Sequence, residues 1–441
     1  MRATAPKATP QRCVSLKASK GLVMNQSSSV STAGAPSRQA GRGEGLVLML
    51  GSSLTIMGSV MVAPILPRLG AEFGPLEPRA DLLVPLAITG PALAIALCAP
   101  LAGWLADRVG RKALLVIATL LYAVLGALPA MLDSLPAIVG VRLLFGCTEA
   151  AVMTCCATLI ADYWHGEERL RYVNRQVVTI GLVGALFFVV GGSLGEHSWR
   201  SPFLLYLLPL LLVPVMMKVL WEPPVAKRRA VEQQVDESGP AKVAVLQLVV
   251  GYLMILGGMV LAFVMAIQAP TLLVGLGITS STMIGMAAGL SLLATLGGSL
   301  AWPLLRRRFG IAGCNALLLG LMGIGLWLLM RAQSYNAVLV AALIQGLGSG
   351  LLVPNVMAPV MNALTARTRG RGLGGFTSFL YFGQFVSPLV VAFVAAFAGD
   401  LRQAIQWLAF VSLAGALLWV TVGLRARGHG QANTLESRQS S

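Results

Sequence analysis

Among the 17 acidic residues of this 441-residue chain, Glu149 stands apart, because it falls near the middle of a long apolar run. The others lie in polar stretches or near the ends of apolar ones. Arg142 precedes it by seven residues in the same run. Seven residues turn a helix through about 700°, so the two side chains share a face about 10 Å apart. Side chains lean toward the helix N-terminus, so Glu149 leans toward Arg142 while Arg142 leans away. A bridging water suits that spacing better than a direct ion pair. An ionisable group inside hydrocarbon must have its cost offset by a partner or a function. Three chemistries fit Glu149. It carries protons, with its proton affinity set by burial acting against the charge of Arg142. It anchors a cationic substrate. Or it forms a buried pair with Arg142 that only fixes helix packing.

These residues need an apolar scaffold, and the composition supplies one. The chain is 56% hydrophobic and 11% charged, which excludes an ordinary soluble domain. Runs of about 20 apolar residues cross some 30 Å of hydrocarbon as helices. Twelve are expected, at about 46–67, 82–106, 113–132, 136–162, 173–195, 201–221, 243–270, 281–305, 311–331, 335–364, 371–397 and 401–425. The predicted class is an all-α integral membrane protein in a lipid bilayer.

A net charge of +16 suggests a nucleic-acid partner, but its placement argues against one. Arg68, Arg79, Arg200, Arg331 and Arg402 fall on one side of the bilayer and Arg142 inside it; the remaining Lys and Arg fall in tails and loops on the other side. This asymmetry orients the chain with both termini cytoplasmic, as expected for a multi-pass protein of the cell (inner) membrane. Residues 1–44, rich in Ser, Ala, Gly and basic side chains, read as a disordered cytoplasmic tail. Residues 222–242 are the longest polar stretch between spans and read as a cytoplasmic linker, and 426–441 as a polar, disordered cytoplasmic tail. A bundle of six helices is expected on each side of the linker, over 45–221 and 243–425.

A shift of 200 residues lays Asp107-Arg108-Val109-Gly110 over Arg307-Arg308-Phe309-Gly310 and Phe145-Gly146 over Gln345-Gly346. The second copy carries Pro303 for Gly103 and Arg307 for Asp107, so only the first keeps the acid. The six cysteines offer no pair in an oxidisable loop and read as free thiols. No metal-binding or phosphate-binding motif occurs, and His165, His197 and His429 lie in loops or tail. No metal, cofactor or enzymatic activity is expected.

Between the second and third apolar runs stands G-W-L-A-D-R-V-G-R-K. It resembles the signature loop of the major facilitator superfamily, with Gly103, Asp107, Arg108, Gly110, Arg111 and Lys112 at the fixed positions. The resemblance implies a fold of two pseudo-symmetric six-helix bundles and a role for this loop as a conformational latch, its Asp held by the other half of the molecule. Gly110 supplies a backbone angle closed to other residues, and Gly103 a close helix approach. The run R-L-L-F-G, Arg142 to Gly146, resembles the helix-4 motif of proton-driven members, with Phe145 where Gln is frequent. It implies a proton relay in which Arg142 biases a neighbouring carboxylate. Helix 5 ends Phe187-Phe188-Val189-Val190-Gly191-Gly192. It has the paired glycines of efflux antiporters without their Gly-Pro.

The resemblance is nearest to the drug and metabolite efflux branch. It implies alternating access by a monomer, with protons as the coupling ion and export of a small organic molecule. The alternative is a proton-coupled importer of an organic anion or nutrient, with Arg142 as anion anchor. A remoter one is a ligand sensor. Substrate-contact candidates are polar and aromatic residues within spans: Thr55, Phe187, Gln268, Asn355, Tyr381 and Gln384, with Met254, Met259 and Met265 as an adaptable wall.

Overall fold

The computed structural model describes residues 40–223, 243–365 and 368–439. The predicted tail before residue 40 and most of the predicted linker, 224–242, lie outside the described residues.

The apolar runs fold as helices: α1 (Arg42–Val60), α2 (Leu66–Phe73), α3 (Ala80–Val109), α4 (Arg111–Ala127), α5 (Leu135–Tyr163), α6 (Gly166–Gly195), α7 (Ser201–Leu204) and α8 (Pro209–Val219). After the linker come α9 (Val245–Gly275), α10 (Ser281–Arg331), α11 (Tyr335–Ala363), α12 (Arg369–Ala398) and α13 (Leu401–Gln439). Pro64 and Pro67 bend the first span through a short 3-10 turn without ending it, and α2 carries on to Phe73. The last helix runs to Gln439, past the predicted end at 425; no proline after Arg425 breaks the backbone ladder.

Among the described residues, eleven stretches are long and apolar enough to cross a membrane, not the expected twelve. The difference lies in α10, which joins the spans expected at 281–305 and 311–331 into 51 residues. At 1.5 Å per residue it is about 76 Å long, more than twice the hydrocarbon thickness. Gly310 interrupts it with φ 69° and ψ −171°. Gly110, two hundred residues earlier, separates α3 from α4 with φ 101°. The repeat seen in the sequence thus recurs as two glycines with positive φ, an angle costly for residues with a Cβ.

Buried side chains form two clusters. One comes from residues 47–220 together with Ile267, the other from 255–416. Between the two halves α6 runs against α10 and α3 against α12. Small residues allow the first contact: a Cβ on Gly192 would lie 2.4 Å from the Ser281 carbonyl oxygen, and one on Gly285 2.3 Å from that of Phe188.

The candidate transport cavity and its lone carboxyl group

Pro91, inside α3, decides where Arg142 goes. Pro91 has no N–H, so the Ala87 carbonyl, four residues earlier, loses its helical donor. Arg142 Nε donates to that oxygen at 2.9 Å. One guanidinium nitrogen donates to the Gly58 carbonyl in the last turn of α1, where carbonyls lack a helical donor; the Tyr206 hydroxyl also reaches this oxygen, at 3.2 Å. The other reaches Tyr206 Oη at 3.3 Å, and Tyr206 donates to the Met57 carbonyl at 2.8 Å. The Phe145 ring lies 4.7 Å below the guanidinium. A cation at a helix C-terminus is stabilised by the helix dipole. Arg142 is therefore a fully buried clamp on α1, α3 and α5. Gly146 serves the same contact: a Cβ there would meet the Pro91 carbonyl at 2.3 Å.

Glu149 makes no hydrogen bond among the described residues, and it is not ion-paired with Arg142. Gly58 stands between them. Its carbonyl accepts a hydrogen bond from Arg142, while its Cα faces the carboxylate so closely that an added Cβ would sit 2.7 Å from Oε2. Arg142 acts on Glu149 through the field across one backbone unit.

The Glu149 side chain opens into a cavity of about 450 Å³ lined by both halves. Ser52, Thr55 and Gln176 come from the first half, and Phe263, Tyr381 and Gln384 from the second. No Lys or Arg lines it among the described residues. Gln176 Nε2 donates to Ser52 Oγ at 2.7 Å and Tyr381 Oη to Met153 Sδ at 3.2 Å; Gln384 has no hydrogen-bond partner among the described residues. A second cavity of about 250 Å³ shares Ile56, Ser59, Ile88, Met259, Phe263 and Val353 with the first.

Of the expected contacts, Thr55, Tyr381 and Gln384 line the first cavity with Glu149. Met259 and Met265 line the second, whereas Met254 packs in the second core cluster. Phe187 packs on the first cluster, and its neighbour Phe188 lines the second cavity instead. Gln268 is buried and lines neither. Asn355 is fully buried, accepts from Trp302 Nε1 at 3.2 Å, and donates to Asn315 Oδ1 at 2.7 Å and to the Ile311 carbonyl just past the Gly310 break. Arg142 lines neither cavity.

The loop 103–112 is tied within the first half and to Glu222 at the start of the linker; Asp107, expected to be held by the other half, has Arg111 of the same loop as its partner in this structure. Arg111 pairs with Asp162 at 2.5 Å and with Asp107 at 3.3 Å. The Glu222 carboxylate caps α4 by accepting from the Arg111 and Lys112 backbone N–H groups at 2.9 and 2.8 Å. Lys112 Nζ donates to the Met217 carbonyl, and Arg108 stacks on Trp104 at 4.1 Å. The close approach expected at Gly103 is not made: a Cβ there meets nothing nearer than Thr154 at 3.9 Å.

At the opposite end of the bundle the halves are fastened together. The Glu196 carboxylate accepts from Ser280 Oγ and from the Thr282 N–H at the start of α10, and pairs with Arg68 at 3.0 Å. Arg68 Nε donates to Ser281 Oγ at 3.1 Å. Partial burial pushes the Glu196 pKa up, but the bonds from Ser280 and Thr282 and the charge of Arg68 outweigh it and hold the group down at about 2. The fastening is therefore complete above the ordinary value of 4.5 and is lost as pH falls from there toward 2. Melting curves of wild type and Glu196→Gln should show a constant gap above about pH 5 that closes in more acidic buffer. A gap unchanged at about pH 2 would remove this role.

The sequence reading did not single out Gln176, which lies only three residues inside the span expected at 173–195. The helix begins at Gly166, so Gln176 lies ten residues inside it. Among the described residues no group of three His, Cys, Asp or Glu side chains is placed to hold a metal ion.

Comparison with known proteins is consistent with this architecture. The family model described as Major Facilitator Superfamily matches residues 48–311, more than half of the chain. The class C tetracycline resistance protein of Escherichia coli is 33% identical over 36% of this chain, and the gallate transporter of Pseudomonas putida 31% over 40%. The chain spans only 40% and 38% of the length of those two proteins. The gentisate transporter of Corynebacterium glutamicum is 27% identical over 67% of this chain and 68% of its own. The xylose transporter XylE from E. coli, in an inward open conformation, superposes with a TM-score of 0.70 over 85% of this chain and 94% of its own, at 16% identity. With the signature loop, the glycine repeat and the family match agreeing, this chain belongs to the Major Facilitator Superfamily.

Proposed function

We propose that this chain is a proton-coupled secondary transporter that carries a small organic acid into the cell. The observation that carries the reading is Glu149, unbonded, in a cavity built by both halves and lined by no cation among the described residues. An ionised Glu149 repels an organic anion; a protonated one accepts it and donates to it. Proton and anion then bind together and travel together, and an inward proton gradient drives uptake. Alternating access supplies the path, with the halves rocking about this cavity. In the full reading, the Gly310 break divides α10 into two spans. That gives twelve spans in two six-helix bundles over 45–221 and 243–425, joined by the linker 222–242. Both termini are cytoplasmic, the unit is a monomer, and the 103–112 loop, here tied within its own half, latches the halves on that side when the cavity faces outward.

Export, the first expectation from the sequence, becomes the second reading. It is favoured by the 32% identity to the multidrug efflux pump LfrA of Mycolicibacterium smegmatis, over a shorter segment than the gentisate transporter match. Against it, Phe187-Phe188 replaces the Gly-Pro of the antiporter pattern, and Gly192 serves to pack α6 on α10. Gallate and gentisate are hydroxybenzoates, and both relatives support an aromatic acid as cargo. The test is uptake of labelled gentisate into proteoliposomes under imposed pH gradients. Accumulation on the alkaline side supports symport. Accumulation on the acidic side supports the exporter instead.

A further inference from the structure

The second cavity sorts hydrogen-bonding groups differently from the first. Its walls are mainly apolar, with Phe188, Phe263 and Met265 among them. Gln345 enters this wall while only 1% exposed. Its Nε2 donates to the Leu261 and Ala262 carbonyls at 3.3 and 3.2 Å. Two acceptor oxygens on that side require the nitrogen end of the amide to face them. The Oε1 has no partner among the described residues and is left for the cavity. The nearby hydroxyls are spent likewise. Ser349 donates to the Gln345 carbonyl at 3.1 Å, Thr295 to the Ser291 carbonyl at 2.9 Å and Ser59 to the Ile56 carbonyl at 3.4 Å. Each shows lone pairs to the cavity, not a proton. Ser291 Oγ has no partner among the described residues. The lining holds no Lys, Arg, His or Asn among the described residues. This chamber is therefore rich in acceptors and poor in donors. A carboxylate, which only accepts, is unwelcome there; a hydroxyl on an apolar ring is not. The first cavity, with the unbonded amide of Gln384, is the better place for the carboxylate.

We propose that Gln345, assisted by Ser291, forms a hydroxyl-reading subsite, so that the cargo is an aromatic acid carrying ring hydroxyls. This rests on the organic-acid reading above but has its own readout. Binding of labelled gentisate to the full-length protein in nanodiscs is measured in competition with benzoate. The wild type should prefer gentisate about tenfold, the worth of a hydrogen bond whose buried acceptor is otherwise left unpaired. Gln345→Met should bring the ratio near one while benzoate binding stays. Ser291→Ala, which removes a hydroxyl with no bond to lose, should lower the ratio by a smaller factor and serves as the test should the first variant unfold. Binding with this pattern but without flux leaves the subsite intact and refutes transport. A preference retained in the variants, equal weakening of both ligands, or no gentisate binding by the wild type overturns the subsite.

Discussion

Glu149→Gln should lose gradient-driven accumulation of substrate while keeping exchange of labelled for unlabelled substrate. Two unit charges about 4 Å apart at an effective dielectric of about 20 repel by about 4 kcal/mol, near three orders of magnitude in affinity. In the wild type this penalty makes anion binding wait for a proton. The glutamine has no charge to remove, so the anion binds at any pH and the halves cycle loaded without a proton. Counterflow should therefore stay within a few-fold of wild type. Uptake under an imposed pH gradient should fall at least tenfold, and its pH dependence should flatten. Loss of counterflow together with uptake would mean that Glu149 holds the cavity together and does not couple it.

Arg142→Met should be the most destabilising single change in the first half. It strands the Ala87 carbonyl freed by Pro91, leaves the Gly58 carbonyl at the end of α1 only the Tyr206 hydroxyl at 3.2 Å, and removes a donor from Tyr206. Each buried acceptor left unpaired costs about 1–3 kcal/mol. A combined loss of several kcal/mol should appear as a large drop in melting temperature in detergent. Arg142→Lys should recover part of it, since one ammonium cannot reproduce the planar fork that spans three partners. A variant as stable as wild type yet uncoupled would make Arg142 a proton relay rather than a clamp.

Much of this was legible in the residues. Spans follow from apolar runs long enough for a bilayer, and Glu149 is conspicuous because a carboxyl inside such a run must be explained. The turn at Gly110 and its copy at Gly310 are visible as a repeat. What stayed hidden depends on which way a helix faces. Phe187 and Phe188 differ by one residue, about 100° around the helix, and only packing decides that Phe188 meets the cavity. The partner of Arg142 requires knowing that Pro91 frees Ala87 and also that α3 lies against α5. Asn355 looked like a ligand contact because amides need partners in hydrocarbon; it finds them in Trp302, Asn315 and the Ile311 carbonyl. Gln176 was not singled out because it lies near the start of the span expected at 173–195; the helix begins earlier, at Gly166.

The most direct test is proton movement itself. Proteoliposomes without an imposed gradient are given gentisate while external pH is recorded in weak buffer. The account predicts alkalinisation outside on substrate addition for the wild type and none for Glu149→Gln. Equal alkalinisation by the two proteins would contradict it.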